Sequence, residues 1–258
     1  MLCSQIISAM NKIAPENFAL DWDNVGLIVG RRDQKINKIL IGLDLTDEII
    51  DEALSLGANM IITHHPILFT SVKKISNTAE SNRIIKLIKN DICLYVTHTN
   101  LDIADYGTNF TLFNLLELEK MESFEDLQYG SMGRVGVLEN EMKFDTFANF
   151  VKNKLKLEKI NFYGNKNEFI KKVAICSGSA SHIKYFLLAK EKCCNVYLTG
   201  DIKYHDVFTA HDLNLNLIDI THNASEKIFA PALKSQLEKY CSIEILCAND
   251  KLNFFHIL

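Results

Sequence analysis

The sequence predicts an α/β protein built from two similar halves, and three observations lead there. Short apolar runs alternate with segments of helical spacing, as in a mostly parallel sheet covered by helices. The order strand–helix–strand–helix–strand occurs twice: Lys38-Ile39-Leu40-Ile41-Gly42 matches Lys172-Val173-Ala174-Ile175-Cys176, Ile61-Ile62-Thr63 matches Tyr197-Leu198-Thr199, and Val96-Thr97-His98 matches Ile220-Thr221-His222. The second and third strands of each set end in Thr followed by polar groups, at the carboxyl edge where open α/β sheets place their ligands. A duplicated unit of this kind predicts a site in the cleft between the copies, with halves at about residues 1–125 and 126–258 and the C-terminal strands packed on either half.

Taken in order, Leu2, Ile6, Ile7, Met10 and Ile13 follow helical spacing, and Pro15 closes that segment. Asp21-Trp22-Asp23-Asn24 reads as a turn, Val25–Gly30 as a short strand or loop, and Ile36–Leu43 as a strand. Thr46 is the expected N-cap of a helix with Asp47 and Glu48 in its first turn, Ile49, Ile50, Ala53, Leu54 and Leu56 inward, and Gly57 at its end. The apolar run Met60–Ile62 stops at Thr63, His64 and His65, and Pro66 cannot continue a central strand because it has no N–H to donate. Residues 70–78 read as loop, Ala79–Lys89 as a helix with Ile84, Ile85, Leu87 and Ile88 inward, and Ile92–Val96 as a strand. A helix is expected over Asn109–Leu118, and the acidic, aperiodic stretch Glu119–Gln128 reads as a linker between the halves. Near the C-terminus, Ile243–Leu246 and Leu252–Ile257 are expected as two strands, paired as a hairpin around Ala248-Asn249-Asp250.

Composition narrows the function classes. A chain of 258 residues with 48% hydrophobic and 23% charged residues buries a sizeable core. A net charge of −4 supplies no attraction for nucleic acid or an anionic membrane surface, and the Lys-rich stretch from Lys152 to Lys172 is diluted by Glu and Asn into a solvated face. No apolar run approaches the ~20 residues of a membrane helix, and polar residues interrupt the first apolar segment, so neither a signal peptide nor a membrane span is expected. Seven cysteines, an odd number without a CxxC pair, fit reduced thiols in a cytoplasm. The absence of GxxxxGK[ST] and GxGxxG leaves P-loop and Rossmann nucleotide sites unsupported.

The chemistry concentrates at the strand ends. His64 and His65 sit where one strand stops, and Asp102 lies just beyond another. His222 and Glu226 lie four apart, on one face of the helix that follows a third strand. Three histidines and two carboxylates exceed the three protein ligands that a single open catalytic ion takes, and suit two ions sharing a bridging carboxylate. Imidazole and carboxylate without thiolate fit Zn, Fe, Mn, Co or Ni equally. Taken singly, each of these residues also fits a strand-end polar group that caps a helix; five at equivalent strand ends favour the metal.

Asp23-Asn24-Val25-Gly26-Leu27, Thr63-His64-His65-Pro66, Thr97-His98-Thr99-Asn100-Leu101-Asp102, Thr199-Gly200-Asp201-Ile202-Lys203-Tyr204-His205 and Thr221-His222-Asn223-Ala224-Ser225-Glu226 together resemble the Ngg-interacting-factor-three-like family, over about Trp22 to Ala230. Its members carry the name GTP cyclohydrolase 1 type 2 homologue. The resemblance implies two three-layer α/β/α domains and a ring-shaped homohexamer with its metal sites facing an internal cavity. It implies a dinuclear centre on His64, His65, Asp102, His222 and Glu226, with Glu226 bridging, His64 and His222 favouring one ion, and His65 and Asp102 the other. Longer members carry an inserted domain for which this chain is too short. Cys176-Ser177-Gly178-Ser179 departs from the more glycine-rich turn of relatives, which puts any backbone contact there in question.

Around that set, His98 either orients a ligand or substrate from behind the metals or caps its loop, and Asp201 and His205 are candidates for proton transfer or for a place behind the ligands. His182, His211 and His256 read as surface or packing residues, and Trp22, the single tryptophan, as a core or interface residue. Two functions fit. One is a metal-dependent hydrolase, with GTP as the substrate that the family name implies. The other is a regulatory or protein-interaction scaffold whose metals are structural.

Overall fold

The structure, a computed structural model, describes residues 1–70 and 72–249. The expected strand over Leu252–Ile257 and His256 lie outside the described residues. The chain divides into two compact units, one of Met1–Leu101 with the segment starting at Phe229, the other of Asp102–Ile228. In chain order the first unit holds α1 (Cys3–Ile13), β1 (Gly26–Val29), β2 (Lys38–Gly42), α2 (Asp47–Leu56), β3 (Met60–Thr63), α3 (Ala79–Lys89) and β4 (Cys93–Val96). The unit boundary falls inside the short helix α4 (Thr99–Ile103). The second unit holds α5 (Thr108–Leu115), β5 (Glu119–Leu127), β6 (Gly130–Lys143), α6 (Phe144–Lys154), β7 (Asn161–Tyr163), β8 (Phe169–Ile175), α7 (Ile183–Glu191), β9 (Val196–Thr199), α8 (Tyr204–Asp212), β10 (Asn216–Asp219) and α9 (His222–Glu226). The chain then returns to the first unit with α10 (Phe229–Leu237) and β11 (Glu244–Cys247).

In the first unit the strand order is β1-β4-β3-β2-β11, with β11, β2, β3 and β4 parallel and β1 antiparallel at the edge. All four residues of β3 and of β4 are buried, so these strands read as apolar runs rather than alternations. Leu40, Ile61, Leu94 and Val96 pack on one face against Ile49, Ile50 and Ala53 of α2 and Ile84 and Leu87 of α3. Thr46 caps α2 by accepting from the Ile49 N–H at 3.3 Å, and Gly57 ends it in the left-handed conformation. Leu54, Leu56 and Ile88, expected inward, are exposed, because the inward stripes of α2 and α3 narrow to Ile49-Ile50-Ala53 and Ser81-Ile84-Leu87.

The second unit repeats the plan. Its order is β5-β6-β8-β9-β10-β7, with β8, β9 and β10 parallel and β7 antiparallel at the edge next to β10. The adjacency β4-β3-β2 thus recurs as β10-β9-β8. Val173, Ile175, Val196, Leu198 and Ile218 face Leu112, Phe113, Phe147 and Val151 of α5 and α6. Tyr197, the alternate residue of β9, meets Phe186 of α7 instead. Helices therefore cover both faces of this sheet.

Three expectations change. The stretch Glu119–Gln128 is no linker: it forms the edge strand β5, paired antiparallel with β6. Its first four residues are exposed on both faces, so the period-2 signal of a half-buried strand is missing. Mostly parallel pairing holds in the first unit and fails in the second, where β5, β6 and β8 run antiparallel. The units also part at Leu101/Asp102 and Ile228/Phe229 rather than near residue 125. Asp102 therefore belongs to the second unit, and the C-terminal segment to the first, because β11 pairs with β2 and α10 packs on α1.

Candidate metal centre

At the carboxyl end of β3, Thr63 turns the chain by donating its hydroxyl to the His65 carbonyl at 3.0 Å, while His64 and His65 both donate their N–H groups to the Leu43 carbonyl. Pro66 follows, and the two imidazoles come to lie side by side with centroids 5.3 Å apart. His64 is fully buried. Its Nδ1 lies 2.8 Å from the Thr97 carbonyl, which can only accept, so Nδ1 carries the proton and the lone pair sits on Nε2. His65 Nδ1 meets Asp44 Oδ1 at 2.8 Å and His98 Nδ1 meets Asp23 Oδ1 at 3.0 Å, each fixing the same tautomer. His64, His65 and His98 offer donor atoms that all lie within 4.8 Å of one another.

In the second unit His222 begins α9. Its Nδ1 is held by Asp201 Oδ2 at 2.8 Å, and its Nε2 stands 3.0 Å from Glu226 Oε2. Glu226 is buried, and so is Asp102, which receives a long hydrogen bond from the Ser177 hydroxyl at 3.5 Å. Ser177 in turn leads into Gly178, whose φ of +71° and N–H bond to Ser225 Oγ at 2.9 Å bring its backbone against Glu226. A Cβ at Gly178 would lie 2.4 Å from Glu226 Oε1. The turn with fewer glycines therefore keeps its glycine at the position where the carboxylate needs room. Two non-glycine residues here hold left-handed backbone, Asp201 at φ 56° and Thr221 at φ 58°, ψ 149°. The latter is a region that glycine alone occupies readily, and strain of this kind collects where a side chain must be aimed.

The expected residues thus fall into two groups: His64 and His65 with His98 in the first unit, and Asp102, His222 and Glu226 with Asp201 in the second. Asp201 is the carboxylate that orients His222. His205 is exposed on α8 with its ring against Tyr204. His182 accepts from the Lys184 N–H and caps α7, and His211 is exposed beside Asp212. Sequence reading missed Asp23, Asp44 and Arg134. Asp23 was read only as a turn residue, although it opens one of the motifs quoted above.

Asp23 merits a pH test. Burial alone would raise its pKa, but hydrogen bonds from His98 and Thr99 and the His98 charge overcome that and hold it at about 2. A depressed folded pKa contributes stability that is complete above about pH 4 and lost as the pH falls through about 2. The stability gap between wild type and Asp23→Asn, read by urea unfolding, is expected to be widest near neutrality and to close between those limits.

The donor chemistry fits a divalent cation: imidazoles with Nδ1 pinned and Nε2 presented, buried carboxylates, and a glycine cradle under one of them. Fold and donors together define a class, the two-unit α/β proteins with a candidate divalent-metal centre at their strand ends. The chain belongs to the Duf34/NIF3 (NGG1p interacting factor 3) family, whose model matches residues 1–253. It is 40% identical over 230 residues to a Clostridium perfringens protein named GTP cyclohydrolase 1 type 2 homolog, covering 88% of this chain and 87% of that one. A Streptococcus pneumoniae protein of the same name is 32% identical, with 99% of each chain covered. Among solved structures, a Bacillus cereus protein related to NIF3 matches with TM-score 0.93 and 25% identity over 100% of this chain and 99% of that one. Reduced HcgD from Methanocaldococcus jannaschii matches with TM-score 0.86 and 31% identity, covering 96% and 98%. Among the described residues, no helix is long and apolar enough to cross a membrane.

Proposed function

We propose that this chain is a metal-dependent hydrolase that holds two divalent ions with His64, His65, Asp102, His222 and Glu226. One observation carries the reading: His64, His65 and His222 each have Nδ1 fixed by an oxygen, two of them by an aspartate, the arrangement that orients histidine ligands of metals. Bound divalent ions supply Lewis acidity that activates water and polarises a substrate oxygen or ring nitrogen. The protein's own part is to aim the imidazoles and to hold Asp102 and Glu226 in place. His98, fixed by Asp23, adjoins the rings of His64 and His65 and is the proposed contact to substrate from that side. The relatives' name makes GTP the first substrate to try. One water opens its imidazole ring to a formylamino group, and a second releases formate. The family resemblance extends the proposal to a homohexamer, which light scattering reads directly.

Elemental analysis tests the ligand set. Wild type is expected to carry two ions per chain, and His65→Ala and Glu226→Ala to lose metal while their circular dichroism stays native. Unchanged metal content in either variant removes that residue from the site. Formate release from GTP by the loaded protein supports the cyclohydrolase assignment; its absence, with turnover of another substrate, leaves a hydrolase of different specificity. A saturated coordination shell without turnover points to the scaffold.

A further inference from the structure

The residues around His98 include two large rings that packing does not account for. Trp22 is 57% exposed and Phe69 is 55% exposed, although tryptophan is among the most buried residues on average. The rings form a loosely stacked pair with centroids 6.5 Å apart and an interplanar angle of 30°. Both meet His98 edge-on, at 5.8 Å from Trp22 and 6.3 Å from Phe69. His98 in turn lies 5.2 Å from the His64 ring and 5.6 Å from that of His65.

This pair is held, not loose. Asp23, next to Trp22, accepts from the Thr99 N–H at 3.0 Å and the Thr99 hydroxyl at 2.5 Å, besides His98. On the other side of Trp22, the Leu20 N–H donates to Thr99 Oγ1 at 3.0 Å. Asn24 Nδ2 donates to the Leu68 carbonyl at 2.7 Å and so ties the Trp22 turn to the loop that carries Phe69. Five hydrogen bonds therefore keep two apolar rings facing solvent beside an imidazole cluster, an arrangement that core formation alone does not require.

We propose that Trp22 and Phe69 form a stacking subsite for a planar heteroaromatic ring whose polar edge is presented to His98, His64 and His65. Aromatic faces bind any flat π-system by stacking, and two of them beside one polar cluster fix the plane of the ring as well as its position. A ring with nitrogen or oxygen on its edge matches the imidazoles, where a hydrocarbon edge does not. The placement beside a reacting centre rests on the hydrolase reading, but the stacking itself does not depend on metal.

Trp22 is the only tryptophan in the chain, so intrinsic emission reports this ring alone. The full-length protein, stripped of metal with EDTA, is titrated with guanosine 5′-monophosphate and, separately, with ribose 5-phosphate. The nucleotide is expected to quench emission saturably, and ribose 5-phosphate to leave it unchanged. Phe69→Ala is expected to weaken the nucleotide by about tenfold, in line with the usual loss per stacked ring, and Phe69→Tyr to bind as wild type. Both variants change an exposed side chain, and unchanged circular dichroism verifies their fold. An unresponsive Trp22, equal responses to the two ligands, or wild-type affinity in Phe69→Ala overturns the subsite. Saturable quenching in a protein that takes up no metal keeps the subsite and removes the metal reading; metal uptake without quenching does the reverse.

Discussion

Gly178→Ala is expected to cost about 2–4 kcal/mol of stability and to lower metal content by at least about tenfold. Two effects add. The backbone sits at φ +71°, where an L side chain is strained, and the new methyl carbon would lie 2.4 Å from Glu226 Oε1. A buried carboxylate has little space to retreat, so the collision moves Glu226 away from His222 Nε2, now 3.0 Å from it. Gly57→Ala separates the two effects. Gly57 has nearly the same φ, +69°, with nothing within 4 Å of the added carbon. It should lose only about 1 kcal/mol and keep its metal. Urea unfolding and elemental analysis of both variants decide it: equal metal loss in the two, or none in Gly178→Ala, rules out the cradle.

Arg134→Met is expected to destabilise the protein by about 4 kcal/mol, from buried carbonyls that cost roughly 1–3 kcal/mol each when left without a donor. Arg134 is 4% exposed and donates to four carbonyls: Ser131 at 2.6 Å and Gly133 at 2.8 Å through Nη1, and Ala104 at 3.0 Å and Ile103 at 3.4 Å through Nη2. Burial pulls its pKa below the ordinary guanidinium value, while the nearby Asp105 charge opposes that. Ile103 and Ala104 directly follow Asp102, so the same fork anchors the end of α4 that carries this carboxylate. Arg134→Lys retains the charge without the planar fork and should recover only part of the stability. Metal content that stays at the wild-type level in folded Arg134→Met protein would separate Arg134 from the placement of Asp102.

The strands of the parallel cores were legible because burial on both faces writes them as unbroken apolar runs, as in Met60–Thr63 and Val196–Thr199. Caps were legible for the same local reason: Thr46 and Gly57 act within one turn of themselves. The β5–β6 pairing was not, because Glu119–Glu122 face solvent and a polar edge strand resembles a linker. The histidines and carboxylates of the candidate centre stood out through their position after apolar strands. Their orienting partners did not: Asp44 meets His65 across 21 positions of sequence, and Asp23 meets His98 across 75. Such pairings depend on which strand ends adjoin, and sheet order is not written in local periodicity. Asp201 was legible as a polar group for proton transfer or for a place behind the ligands, and its hydrogen bond to His222 Nδ1 suits the second of these.

The return of the chain to the first unit has a consequence during synthesis. Asp102–Ile228 is one uninterrupted stretch, so all of it is synthesised before β11. The first unit must wait, because β2 has β3 on one side and β11 on the other, and β11 is made some two hundred residues after β2. Until Glu244–Cys247 arrives, β2 presents an unpaired, apolar edge to solvent. Nascent chains stalled before that point should therefore aggregate or recruit chaperones through the Lys38–Gly42 edge, and chains extended far enough to expose β11 should not.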